Sequence, residues 1–148
     1  MPSPHVSAYG ANSVTASTVT VTADAYAGQK IILDRAAGIT ATLPAASGSG
    51  NSYEFFVATT VTSNSHLIKV ANASDTMVGI GTLLADAGDT VVAFAAAGTS
   101  DTVTMNGTTT GGIAGAYARL TDIKANLWHV EYISDASGTE ATPFSATV

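Results

Sequence analysis

YEFFVATTVTSNSHLIKVA, residues 53–71, decides the fold class. Its first ten residues, 53–62, are dense in aromatic and β-branched side chains. Such side chains fit a pleated, half-buried surface better than a helix. Ser63-Asn64-Ser65 is a turn, and His66 to Ala71 continues the sheet. Elsewhere no helical period holds over a window of about eleven residues, and the Ala-rich run at 93–98 is too short to supply one.

Working toward the N-terminus, ITATLP (39–44) sets Ile39, Ala41 and Leu43 on one face. Pro44 ends its pairing, because proline has no N–H to donate. KIILD (30–34) is another short strand. Val14 to Ala23 reads as a third, with Val19 and Val21 alternating with threonines, and ASGSGNS (46–52) is a loop. Residues 1–13 read as an extended arm: Pro2 and Pro4 disfavour regular structure, and no apolar period precedes Val14.

Toward the C-terminus a pattern recurs in Asp75-Thr76-Met77, Asp89-Thr90-Val91 and Asp101-Thr102-Val103. An Asp closes an Asx-turn and a Thr-apolar pair begins a strand, so each pattern opens one strand of a meander. Three short echoes without a common core motif do not make a solenoid. TTTGGIAG (108–115) is a Gly-rich connection whose Gly111, Gly112 and Gly115 read as loop glycines with positive φ. Tyr117–Ile123 and Leu127–Ile133 are two strands joined at Lys124-Ala125-Asn126. In the second, Leu127, His129, Glu131 and Ile133 share one face, and Trp128, Val130 and Tyr132 the other. The tail, 134–148, is polar and loosely patterned. Short strands separated by turn signals predict an all-β protein: an antiparallel β-sandwich or jelly roll over residues 14–148, with a barrel as the alternative.

The composition narrows the function classes. Of 148 residues, 27 are Ala, 22 Thr, 14 Ser and 14 Gly, so over half the chain is small. Strands of such residues bury little apolar area each, which favours close sheet packing and self-association. Charged residues make up only 11%, and the net charge is −6. A basic nucleic-acid surface and a polybasic membrane surface are therefore not expected. Cysteine is absent, which excludes disulfides, thiolate metal sites and thiol catalysis. No apolar run reaches the roughly 18 residues of a membrane span, and MPSPHVSAYGANS has neither half of a secretory signal.

Candidate chemistry is sparse. His5, His66 and His129 are scattered, with no HExxH. Ser49 lies between glycines in a polar turn, not in a GxSxG elbow. Asp86 with Asp89, and Asp135 with Glu140, could meet calcium through carboxylates and carbonyls, but turn formation is the simpler use. Glu54 and Glu131 could pair with Lys69 or Arg119 across a sheet. The glycines precede no helix, so they offer no phosphate cradle. Asn72-Ala73-Ser74 and Asn106-Gly107-Thr108 match the glycosylation triplet, which means little without a secretory signal. Trp128, the only tryptophan, is expected in the core. These residues imply no enzyme, cofactor or metal.

Two segments, 33–80 and 100–130, together resemble small structural proteins of tailed-bacteriophage virions. The elements that carry the resemblance are the TLPAA-G-G turn (Thr42 to Gly50), the aromatic strand, VANASD (Val70 to Asp75), TMNGTTTGG (Thr104 to Gly112) and the Trp strand (Leu127 to Val130). Such proteins serve as head decoration, or cement, proteins and as modules of virion fibres. The resemblance implies a protein made in the host cytoplasm that binds the capsid exterior as a homotrimer and bridges subunits of the major capsid protein. Pro2, Pro4, His5, Val6 and Tyr9 of the arm are then the candidate capsid or subunit contacts. Prolines lower the ordering cost of an extended peptide, and Tyr9 offers contact area with little entropy loss. The alternative is a receptor- or glycan-binding module of a fibre or spike, with Trp128 or Tyr117 stacking on sugar.

Overall fold

Tyr53, Phe55 and Val57 are buried along one side of their strand, while Glu54 and Phe56 lie half-buried on the other. This period of two recurs through most strands of the computed structural model, which describes residues 10–86, 88 and 90–148. In chain order the elements are β1 (Ala11–Val14), β2 (Thr18–Thr20), a single-turn α1 (Ala23–Tyr26), β3 (Lys30–Leu33), β4 (Thr40–Thr42), β5 (Ser52–Val57) and β6 (His66–Lys69). They continue with β7 (Thr76–Leu84), β8 (Val91–Ala95), β9 (Thr102–Met105), β10 (Tyr117–Lys124), β11 (Leu127–Asp135) and β12 (Phe144–Ser145).

The strands form two packed sheets, so the all-β sandwich is the architecture. One sheet has seven strands in the order β1-β3-β5-β10-β11-β7-β8, and the other five in the order β12-β9-β6-β4-β2. The sheets are mixed where the sequence analysis expects antiparallel pairing. β1, β3 and β5 run parallel, as do β2, β4 and β6, and β7 runs parallel to β11. The reason lies in the crossings. From β1 to β6 the chain changes sheet at every loop, so it returns to each sheet in the same direction. Antiparallel pairing appears in the hairpins β7–β8 and β10–β11, where the chain stays in one sheet, and also between β5 and β10, β6 and β9, and β9 and β12, where it returns from the opposite sheet.

The same crossings explain the other departures. The aromatic strand ends at Val57, and β6 lies in the opposite sheet rather than continuing the first. Val14 to Ala23 is two strands and a helical turn, because the chain changes sheet between Val14 and Thr18. Residues 11–13, assigned to the arm, belong to β1 and pair in register with Lys30–Ile32. Their backbone makes an edge strand in which only Val14 is buried, so no apolar period marks it. Pro2, Pro4, His5, Val6 and Tyr9 lie outside the described residues. The tail holds a strand as well, β12, paired with β9.

The core lies between the sheets. Trp128 is fully buried, its ring 5.8 Å from that of Tyr53, among Phe55, Leu120, Ile68, Val103 and Met77. Ala41 and Ala118 are also fully buried, which is how a small-residue chain closes its sheets. Within the seven-stranded sheet Gly79 allows β7 to lie close to β11: a Cβ there would overlap the carbonyl oxygen of Val130.

Candidate interaction surface

The outer face of the seven-stranded sheet is built from the alternate residues that do not enter the core. One row across it reads Lys30, Glu54, Arg119, Glu131, Ile80 and Ala95. Lys30 Nζ lies 3.5 Å from Glu54 Oε2. Arg119 stands in register between Glu54 and Glu131, as the sequence suggests, whereas Lys69 belongs to the other sheet. The next row reads Ile32, Phe56, Tyr117, Ile133, Thr82 and Ala93. Phe56 and Tyr117 pack with ring centroids 5.0 Å apart, and the Tyr117 hydroxyl donates to Glu54 Oε1 at 3.3 Å. Burial, followed by the Glu54 charge, raises the Tyr117 phenol above its ordinary pKa.

Toward β8 this face loses its charges. β7 and β8 carry no charged side chain. Val78, Ile80 and Leu84 of β7, Val91 of β8 and Ile133 of β11 are 36% to 61% exposed. A single exposed aliphatic residue needs no explanation, but five on three adjacent strands make a contiguous patch, the usual mark of an interaction surface. Thr82, Leu84, Val91, Gly115, Ile133 and Asp135 line a shallow groove of about 290 Å³ in this corner.

The residues considered for chemistry are used structurally or lie apart. His66 is fully buried, and its Nδ1 accepts the Ile39 N–H at 3.1 Å. Burial lowers its pKa. His129 sits half-buried in the other sheet, and His5 and Asp89 lie outside the described residues. Ser49 donates its hydroxyl to Asp122 Oδ2 at 2.7 Å. Asp135 accepts the N–H of the next residue, Ala136, as a turn carboxylate, whereas Asp86 accepts the N–H of Gly138, 52 residues away, at 2.9 Å and ties two distant loops together. Among the described residues no group of three or more His, Asp or Glu is placed to hold a metal ion. Gly111 and Gly112 do take positive φ, and the Gly112 N–H donates to Ser134 Oγ. Trp128, being fully buried, presents no face to a sugar.

Sequence reasoning missed the most densely bonded carboxylate. Asp122 accepts the backbone N–H groups of Ser47, Gly48 and Ser49 and both serine hydroxyls. Burial alone would raise its pKa; the Ser49 hydroxyl and the three N–H donors outweigh burial and hold it at about 2. The TLPAA-G-G turn is thus a nest closed around an internal anion. Asp101 does the same for the C-terminal segment, accepting the N–H groups of Thr147 and Val148 and the Thr102 hydroxyl. These bonds outweigh its burial and lower its pKa. Comparison with protein-family models, with curated proteins and with solved structures finds no match for this chain.

Proposed function

We propose that this chain is a capsid decoration protein of a tailed bacteriophage, which docks on the outer surface of the head and ties neighbouring major capsid protein subunits together. The observation that carries this reading is the aliphatic corner of the seven-stranded sheet, where Val78, Ile80, Leu84, Val91 and Ile133 stand exposed, bordered on β11 by Glu131 and Asp135. A rigid β-body with one apolar corner suits a protein whose work is adhesion. The body is fastened internally by Asp122 and Asp101, so docking would add buried area without ordering a loop.

The resemblance to virion structural proteins supplies the partner, and the face supplies the contact. The candidate arm contacts Pro2, Pro4, His5, Val6 and Tyr9 would extend that contact beyond the sheet. Removing residues 1–9 is expected to weaken capsid binding, and unchanged binding would end the arm's part in this reading. The reading as a whole is tested by sedimenting the purified protein with undecorated heads. Saturable binding at a fixed ratio to the major capsid protein is the expected result. A folded protein that stays in the supernatant would overturn decoration and favour a receptor- or glycan-binding module.

A further inference from the structure

β8 stands at one edge of the seven-stranded sheet. The Ala85 N–H donates to the Thr90 carbonyl at 3.0 Å, and the Ala96 N–H donates to the Gly79 carbonyl at 2.9 Å. In an antiparallel ladder the bonded residues alternate, so the even-numbered residues from 90 to 96 turn their backbone groups toward β7. The N–H and C=O groups of Val91, Ala93 and Ala95 therefore point away from it. Among the described residues nothing pairs with that side.

Natural edge strands are usually blunted by shortness, lysine, proline or a bulge. β8 has none of these: it is five residues, VVAFA, in unbroken register with β7. The other edge strands are shorter, β1 having four residues. β2 and β12 have three and two residues, and β1 carries Asn12 and Ser13.

We infer that β8 pairs antiparallel with β8 of a second copy of this chain about a twofold axis at Ala93, joining two seven-stranded sheets into one. The strand is self-complementary in this register. Ala93 meets the partner's Ala93, and Val91 meets the partner's Ala95. A large side chain thus faces a small one, and every outward backbone group finds a partner. Charge does not oppose pairing at this edge. The chain carries −6, so two copies repel, yet β7 and β8 are uncharged. The nearest strand-borne acids, Glu131 and Asp135 on β11, would face their counterparts across five strand spacings. That is about 24 Å, against a Debye length of about 8 Å at physiological salt.

This contact uses the backbone edge of β8 and is independent of whether the chain binds a capsid. The test is the solution mass of the full chain at micromolar concentration, with Ala93→Pro beside the wild type. Proline removes an N–H that β7 does not use, so the sandwich is kept and the pairing is blocked. The expected result is a wild-type dimer and a monomeric Ala93→Pro with unchanged circular dichroism. A wild-type monomer, a trimer as the sequence analysis expects, or a dimer that survives Ala93→Pro would overturn the inference. Should Ala93→Pro fail to fold, hydrogen exchange on the wild type decides. Slow exchange at the Val91, Ala93 and Ala95 amides that is lost on dilution supports the pairing, and fast exchange at all concentrations overturns it.

Discussion

The Asp122 carboxylate accepts both polar hydrogens of Ser49, the backbone N–H at 3.1 Å and the hydroxyl at 2.7 Å. With Ser47 and Gly48 it converts a loop of small residues into a fixed turn at one end of the sandwich. Asp122→Asn keeps the size but replaces a carboxylate oxygen by a donor that faces N–H groups. Hydrogen bonds to a charged group contribute about 1.5–3 kcal/mol each, and they overlap here. A loss of about 3 kcal/mol in urea unfolding at pH 7 is expected. The Asp122 pKa is depressed when folded, to about 2. Its contribution is therefore complete above the unfolded carboxylate pKa and fades as pH falls from about 4 toward 2. Asp122→Asn should show a flatter stability profile across that window.

His66 produces a second, separate acid dependence. Its Nδ1 must stay unprotonated to accept the Ile39 N–H, and burial lowers its folded pKa. The unfolded chain then binds the proton more readily, so stability rises with pH. The His66 contribution is whole above about pH 6.5, the unfolded value, and declines as pH falls below it toward the depressed folded pKa. His66→Gln retains an acceptor without titrating. Its ratio of stability at pH 7 to stability at pH 5 should lie closer to one than that of the wild type.

Gly79 tests the parallel pairing of β7 with β11. A Cβ there meets the Val130 backbone oxygen at 1.9 Å, a neighbour with no flexible end to give way. Gly79→Ala is expected to destabilise by about 3 kcal/mol or more, at the upper end for overpacking. A melting temperature within two or three degrees of wild type would contradict this pairing.

Trp128 reports on the core directly. Being fully buried beside Tyr53, it should emit at short wavelength and resist quenching by iodide. Trp128→Ala should lose about 3–5 kcal/mol, as other large-to-small core changes do. A red-shifted, readily quenched emission would place the ring outside the core.

How far the sequence carried can be judged at single strands. In β11 the division of Leu127, His129, Glu131 and Ile133 from Trp128, Val130 and Tyr132 matches the observed burial, because a period of two is local. Thr76 and Thr102 begin strands as the Asp-Thr pattern suggests, but β9 lies in the sheet opposite β7 and β8, so the three strands are not a meander. Strand order was not legible, because pairing depends on which sheet each loop enters, and the single turn of α1 is the one helix in these connections among the described residues, too short to announce a parallel return. The Asp122 nest was hidden by distance, since its partners lie 73 to 75 residues away in sequence. The exposed patch was hidden by symmetry. Met77 and Val78 alternate, and alternation alone does not say which side faces in.

The central claim is that the aliphatic corner of the seven-stranded sheet is an adhesive face. Ile80→Lys and Ile133→Lys place a charge in that corner at positions 57% and 56% exposed, where a strand substitution costs under about 1 kcal/mol. Each variant should keep the wild-type circular dichroism and melting behaviour. The decisive measurement is co-sedimentation of wild type and both variants with undecorated heads. The account predicts saturable wild-type binding that falls at least tenfold in affinity for each variant. Binding that is indifferent to both lysines, or a wild type that does not bind at all, would contradict it.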